Sequence, residues 1–158
     1  MQWRADIDVL RNAAAGLNGA RVEAVHVPSG GPPGRASRFG LQLAFTRERE
    51  DGTTRRRLRW LKVESVAWRL DGPDAVLAAS GDDDRRLAAD LVVLTGRKIT
   101  AVHIQLPGWD TRFSFGEHLL TVFPVYHNEP SAGPDWTIRT ARGRLLVVGP
   151  GPRWALAA

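Results

Sequence analysis

Four histidines and the acidic residues near two of them are the side chains best suited to acid–base or metal chemistry. His118 and His127 flank a predicted strand, and with Asp110, Glu117 and Glu129 they form a local group of titratable side chains. Their spacing matches no hydrolase or metal-binding motif, whereas polar residues are common in turns. The sequence therefore favours a surface turn here and predicts no catalytic residue, no metal ligand and no cofactor.

Arginines are concentrated between residues 47 and 59, with Arg55, Arg56 and Arg57 in a row and Arg59 two residues later. On a hairpin arm such charges would contact phosphates well, which supports a nucleic-acid-binding interpretation. They would also keep an exposed edge strand from pairing with a neighbouring molecule. Acidic residues are interspersed in the same segment, so the second role is favoured.

Three of the six tryptophans, Trp60, Trp109 and Trp154, lie near turns or the chain end and have no counterpart elsewhere in the sequence. Such side chains can stack on a nucleobase or a sugar, anchor an interface, or close a core. We predict that they take part in an interaction surface, together with the arginines and two of the histidines. The predicted surface comprises Arg55, Arg56, Arg57, Arg59, Trp60, Trp109, His118, His127 and Trp154.

The glycine-rich segment VGPGPRW, at residues 148–154, has some of the character of a phosphate-binding loop. It lacks the Lys-Ser/Thr ending and the following helix that such loops need. Pro150 and Pro152 also remove two of the backbone N–H donors that would hold a phosphate. We predict that the segment ends a strand.

These candidate residues belong to a chain that reads as two copies of one unit. Residues 17–27 (LNGARVEAVHV) match residues 94–104 (LTGRKITAVHI), and FGLQLAF matches WDTRFSF. In a third match, WRLDGPDAVLAASG begins at Trp68 and WTIRTARGRLLVVG begins at Trp136. The three blocks occur in the same order at offsets of 77, 70 and 68 residues, which indicates an internal duplication.

Each copy is predicted to be a helix followed by four strands. Apolar residues at helical spacing, preceded by aspartates that can cap a helix, indicate helices near 6–17 and 82–94. Alternating apolar residues indicate strands near residues 21–27, 39–48, 54–67, 69–79, 98–105, 111–115, 119–124 and 137–148. The expected fold class is α+β, with two tandem helix plus four-stranded antiparallel β-meander repeats. The repeats, 1–81 and 82–158, are expected to pack as one compact body with pseudo-two-fold symmetry.

The composition is typical of a folded protein without redox or membrane features. The 158 residues include 43% apolar and 25% charged side chains, which suffice for a core. The absence of cysteine excludes disulfides, zinc–thiolate sites and thiol nucleophiles. The net charge of +5 comes almost entirely from arginine, a bias that fits a GC-rich bacterial genome. No stretch is long enough to cross a bilayer and the N-terminus does not read as a signal peptide, so we expect a cytoplasmic protein without membrane contact.

The order of motifs over residues 58–154 resembles that of a group of small bacterial proteins of actinobacterial type. The shared features are a W-x-I/L strand, an S-G-D-D helix start, an L-x-G turn, an F-x-F-G hairpin, a V-F-P strand and a terminal G-P-G. The resemblance implies the duplicated helix–β-meander fold and a bacterial origin, and it carries no activity with it.

The absence of a catalytic signature, the duplicated β scaffold and the unmatched tryptophans together predict a non-enzymatic module that binds an unidentified protein. Immunity proteins, which neutralise a toxin, are one analogy. The alternative is a nucleic-acid-binding protein that uses the arginine-rich hairpin. A third hypothesis is an enzyme that uses His118, His127 and Asp110, and a homodimer is a further option for the assembly.

Overall fold

A computed structural model describes residues 2–28, 40–46, 59–64, 66–129, 131–140 and 143–157. This part of the chain has the predicted α+β fold, with two helices and two antiparallel sheets. The helices are α1 (Ile7–Ala15) and α2 (Asp84–Leu91), which is followed by a 3-10 turn (Val92–Leu94). The strands are β1 (Arg21–His26), β2 (Leu41–Thr46), β3 (Arg59–Val63), β4 (Ala67–Asp71), β5 (Val76–Ala79), β6 (Ala101–Gln105), β7 (Asp110–Phe115), β8 (His118–Phe123), β9 (Trp136–Arg139), β10 (Leu145–Val148) and β11 (Trp154–Ala157).

Both helices begin at aspartates, in agreement with the sequence. The Asp6 carboxylate accepts hydrogen bonds from the backbone N–H groups of Asp8 and Val9, at 3.0 and 3.2 Å. The Asp83 carboxylate accepts one from the N–H of Arg85 at 2.8 Å. These bonds satisfy backbone donors that have no partner inside the helix. The apolar residues that the two helices bury are Leu10, Ala14, Leu87 and Leu91.

The strands form a six-stranded sheet in the order β1-β2-β3-β9-β10-β11 and a five-stranded sheet in the order β5-β4-β8-β7-β6. This arrangement differs from the predicted pair of four-stranded meanders, one in each repeat. Strands β4 and β5 do not continue the sheet that holds β1 to β3: β4 pairs with β8, while β9 pairs with β3 and continues the six-stranded sheet to β10 and β11. Alternation of apolar residues indicates which face of a strand is buried but not which strand lies beside it, so the sequence did not reveal this exchange.

The described residues contain eleven strands, whereas the sequence predicted eight. The predicted strand at 69–79 is divided because the N–H of Gly72 donates to the carbonyl of Ala75 at 2.8 Å and closes a turn. The predicted strand at 137–148 is divided in the same way, where the N–H of Thr140 donates to the carbonyl of Arg144 at 2.7 Å. Both turns carry a glycine, Gly72 or Gly143, a residue that often marks a turn inside an apparently continuous strand.

The two sheets are joined along one edge by backbone hydrogen bonds. The N–H of Gly19 donates to the carbonyl of Ile99 at 2.7 Å, and the N–H of Gly96 donates to the carbonyl of Val22 at 2.8 Å. Gly19 and Gly96 have φ angles of 84° and 82°, the left-handed conformation that glycine adopts at little cost. The start of β1 is thereby fixed to the segment that precedes β6.

Aromatic side chains fill the space between the sheets. Phe45 stacks on Phe115 with ring centroids 6.4 Å apart, and Phe113 meets Trp136 edge-on at 5.4 Å. The Nε1–H of Trp136 donates to the hydroxyl of the buried Thr111 at 3.0 Å. Because the indole N–H finds a partner inside the core, Trp136 can be fully buried without leaving a donor unpaired.

Replacing Thr111 with valine is expected to lower the free energy of unfolding by about 1–2 kcal/mol, since it leaves the buried N–H of Trp136 without an acceptor. The Thr111 hydroxyl also donates to the carbonyl of Trp109 at 3.2 Å. Urea denaturation measures the change. Thr100→Val is the matched control, because the exposed Thr100 hydroxyl donates to the carbonyl of Ser114 at 3.2 Å where water can replace it. Equal losses for the two variants would contradict the role assigned to Thr111.

Candidate functional site

Four connecting segments lie at one end of the five-stranded sheet and at the adjoining end of the six-stranded sheet. They are residues 106–109, 124–129, 131–135 and 149–153. The first joins β6 to β7, the next two lie between β8 and β9, and the last joins β10 to β11. The N-terminal residues join them because Arg4 pairs with Trp154 through two backbone hydrogen bonds, of 2.8 and 2.9 Å. We call these four segments, together with residues 2–6, the loop end.

Exposed apolar side chains are concentrated at the loop end. Leu106, Val125 and Tyr126 are 50%, 55% and 41% exposed, and Trp3 is 37% exposed. They are four of the eight large apolar side chains that the described residues leave exposed, and the other four are distributed over α1, β3, β5 and the 3-10 turn. The guanidinium of Arg153 lies 4.6 Å from the centroid of the Trp3 ring and adds a cation. A concentration of this kind is typical of an interaction site.

A buried carboxyl group lies beneath this surface. Asp135 is 1% exposed, and neither of its carboxyl oxygens has a hydrogen-bond partner among the described residues. Its Oδ2 lies against Gly149, where an added Cβ would be 1.9 Å from that oxygen. Gly149 has a φ of 77°, which side chains other than glycine rarely adopt. The N–H of Asp135 donates to the carbonyl of Val148 at 2.8 Å and keeps the two residues together.

The turn at 149–153 is closed by its own hydrogen bonds. The N–H of Gly149 donates to the carbonyl of Arg153 at 2.9 Å, and the N–H of Arg153 donates to the carbonyl of Gly151 at 2.7 Å. The Nε–H of Arg153 donates to the carbonyl of Pro150 at 2.9 Å. An added Cβ at Gly151 would lie 2.4 Å from the carbonyl oxygen of His127, so the turn packs directly on the segment after β8. The glycine-rich sequence thus ends β10 and also connects the parts of the loop end.

Burial raises the pKa of the Asp135 carboxyl to about 7, although the positive charge of Arg153 lowers it in part. The carboxyl is therefore half protonated near neutral pH. Burial also lowers the pKa of His118. The positive charge of Arg97 lowers this pKa further, whereas the negative charge of Glu117 raises it. A carboxyl with a strongly shifted pKa beneath a surface cluster is a candidate for function.

Three residues of the predicted interaction surface are buried. Trp109 and Trp154 are 3% and 0% exposed, and His118 is 6% exposed. The Nε1–H of Trp154 donates to the carbonyl of Asp6 at 2.9 Å, which fixes the N-terminal segment. Large aromatic side chains next to turns gain more by packing inward than by facing water, which corrects the expectation that these residues lie at the surface.

The other described residues of the predicted surface lie in two separate places. Trp60 is exposed near the start of β3, where it is paired with Ala44, and Arg59 beside it is half-buried. His127 is exposed at the loop end, beyond the opposite ends of the strands. The arginines at positions 55–57, and the hairpin predicted around them, lie outside the described residues and stay predictions.

The structure also separates the residues of the enzyme hypothesis. His118 is the first residue of β8 and His127 follows the end of that strand, which has six residues and a length of about 17 Å. Asp110 is the first residue of β7, next to the loop end, so His118 lies at the opposite end of the sheet from Asp110 and His127. Among the described residues, no three histidine, aspartate or glutamate side chains are grouped to hold a metal ion.

Asp135 was not a candidate at the level of sequence, because GPDW reads as an ordinary turn before a strand. Its burial depends on contact with Gly149, which lies fourteen residues further along the chain. The available signal was the pair of glycines in the G-P-G motif, since closely spaced glycines can mark close approach of another group to the backbone.

Comparison of the chain with protein families, with curated proteins and with solved structures finds no match. In the part of the chain that the structure describes, no helix is long and apolar enough to cross a membrane. The candidate site is therefore defined by the geometry of the loop end.

Proposed function

We propose that the chain is a cytoplasmic, non-enzymatic module that binds a partner protein through the loop end. The observation that carries this proposal is the concentration of exposed apolar side chains beside a turn that is held by its own hydrogen bonds. Tyrosine, tryptophan and arginine dominate the binding energy of protein interfaces. Tyr126, Trp3 and Arg153 supply all three types at this surface. An immunity protein is one kind of module that would fit.

A duplicated scaffold of two repeats, 1–81 and 82–158, accounts for the framework that carries this surface, as in the bacterial proteins that the sequence resembles. The first repeat would give three strands to the six-stranded sheet and two to the five-stranded sheet, and the second repeat would give three strands to each. The strand registers support this interpretation, because residues related by the sequence offsets make equivalent pairs. These pairs are Ala24–Ala44, Val25–Leu43 and His26–Gln42 in the first repeat, and Ala101–Ser114, Val102–Phe113 and His103–Arg112 in the second.

The buried carboxyl at the loop end has no counterpart in the other repeat. At the offset of 68 residues, Asp135 corresponds to Ala67 and Gly149 corresponds to Gly81. An added Cβ at Gly81 would meet no atom within 4 Å. In this interpretation the duplication supplies the scaffold, and the contact between Asp135 and Gly149 is specific to the second repeat.

Val125→Asp is expected to weaken partner binding at least tenfold, because it places a charge within the apolar contact. The immobilised chain would capture the partner from lysate of the native host, and calorimetry with the purified partner would give the affinity. Val92→Asp is the matched control, since Val92 is 61% exposed on the 3-10 turn, outside the loop end. Equal affinities for the two variants would contradict the proposal. Sedimentation of the chain alone would show whether the partner is a second copy.

Nucleic-acid binding is the second candidate function, and the position of Trp60 favours it. Its indole is exposed on β3, two residues before Lys62, and the neighbouring strand β9 ends at the exposed Arg139. An aromatic face beside cations can stack on an unpaired base. Trp60→Ala is then expected to weaken binding of a fluorescent single-stranded oligonucleotide at least fivefold, with a steep dependence on salt. Absence of binding at low salt would exclude this candidate, and Val125→Asp should leave such binding unchanged.

A further inference from the structure

The turn at 149–153 holds the separate parts of the loop end in place. Gly151 packs on the carbonyl of His127, and the guanidinium of Arg153 stacks on Trp3. Trp154, which follows the turn, pairs with Arg4 through its backbone. The guanidinium carbon of Arg4 also lies over the Trp154 ring, 5.3 Å from the ring centroid. A movement of this turn would therefore displace both the segment after β8 and the N-terminal residues.

The carboxyl of Asp135 supports this turn from below without any hydrogen bond of its own among the described residues. In the neutral form it can lie against the Cα of Gly149. In the ionised form it would be a buried charge without a hydrogen-bond donor, which is strongly unfavourable. The ionised carboxylate would be solvated by water if the turn moved away from it.

The charged side chain that acts on this carboxyl is Arg153, which belongs to the turn itself. Glu64 and His127, on the adjacent segments, approach the turn and Asp135 through backbone atoms. The N–H of Glu64, after β3, donates to the carbonyl of Asp135 at 3.2 Å, and the carbonyl of His127 faces Gly151. Arg153 contacts the Trp3 ring and the carbonyl of Pro150, and no hydrogen bond joins its guanidinium to Asp135 within the described residues.

We propose that Asp135 is a proton-controlled latch for the loop end: the protonated carboxyl keeps the 149–153 turn closed, and its ionisation favours an open turn. The consequence for partner binding depends on the proposed function, whereas the opening of the turn does not. With a pKa near 7, the latch would respond to pH changes within the physiological range. Binding would be tighter at the lower pH, at which the loop end is held in its closed form.

Amide hydrogen exchange measured by NMR, corrected for the intrinsic rate at each pH, tests the latch. The protection of the Gly149 and Arg153 amides is expected to fall about tenfold between pH 6 and pH 8, if the carboxyl regains its ordinary pKa of 3.8 in the open form. In Asp135→Asn the protection should not change with pH. The Gly96 amide, which donates to the carbonyl of Val22, is the internal control. Constant protection in the native chain, or the same fall in the variant, would overturn the latch.

Two further results separate the latch from the proposed function. If the Asp135→Asn chain does not fold, the carboxyl carbon of Asp135 in the native chain can be titrated directly, and its midpoint should coincide with that of the two amides. Different midpoints would overturn the latch. If the protection of the two amides against exchange falls at the pH at which the carboxyl ionises, but no partner protein binds, the latch is supported and the proposed function is overturned. Constant protection with a partner bound at the loop end would overturn the latch alone.

Discussion

Replacing Gly149 with alanine is expected to lower the free energy of unfolding by more than about 3 kcal/mol. The new Cβ would lie 1.9 Å from Oδ2 and 2.3 Å from Cγ of Asp135, distances at which one of the two residues must move. The carboxyl is buried while the 149–153 turn is closed, so the clash cannot be relieved without displacing the turn or the carboxyl. Alanine would also have to adopt a φ of 77°, which adds the cost of the left-handed conformation. Chemical denaturation monitored by tryptophan fluorescence measures the loss.

Two control variants separate the contributions to this effect. Gly116 has a φ of 71° but no atom within 4 Å of an added Cβ, so Gly116→Ala should cost about 1–2 kcal/mol for backbone conformation alone. In an Asp135→Ala background the clash is absent, and Gly149→Ala should cost no more than Gly116→Ala does. A large effect of Gly149→Ala that persists in that background would show that the contact between residues 135 and 149 is not its cause.

The stability of the native chain should include a contribution from Asp135 that decreases by about 2–3 kcal/mol between pH 5 and pH 8. The pKa of this carboxyl is about 7 in the folded chain and 3.8 in the unfolded chain, so the folded state binds the extra proton between these values. Stability is therefore greatest below the unfolded pKa, falls as pH rises, and levels off above pH 7. Urea denaturation at several pH values, compared with Asp135→Asn, measures the contribution.

The comparison with Asp135→Asn is necessary because the contribution of His118 to stability changes with pH in the opposite direction to that of Asp135. Burial lowers the pKa of His118, so the unfolded chain binds its proton more readily and this contribution to stability rises with pH. The difference in unfolding free energy between the native chain and Asp135→Asn removes the His118 contribution, which the two share. A difference that stays constant from pH 5 to pH 8 would mean that Asp135 is ionised in the folded chain at both pH values.

Local features of this fold could be predicted from sequence, whereas the pairing of strands could not. The helix starts at Asp6 and Asp83 depend on bonds to residues two or three positions away, so the sequence locates them. Strand β4 has the alternation expected of a half-buried strand, but its partner β8 lies about fifty residues further along the chain. Which strand pairs with β4 depends on how the whole core packs, and contacts between residues far apart in sequence decide this.

The candidate site was harder to predict, because exposure near turns depends on tertiary packing. Trp109 and Trp154 have the same kind of sequence context as Trp60, yet two are buried and one is exposed. The exposed Leu106 and Tyr126 are ordinary loop residues in sequence terms. Their significance comes from the topology, which brings the segments after β6 and β8 to the same end of one sheet.

Photo-cross-linking tests most directly whether the loop end is the binding surface. A photoreactive amino acid would be placed at Tyr126, and in separate chains at Val92 and Trp60, and each chain would be irradiated in the native host. We expect one discrete protein adduct from position 126 and none from position 92. An adduct from position 60 with none from position 126, or the same adducts from positions 126 and 92, would contradict binding at the loop end.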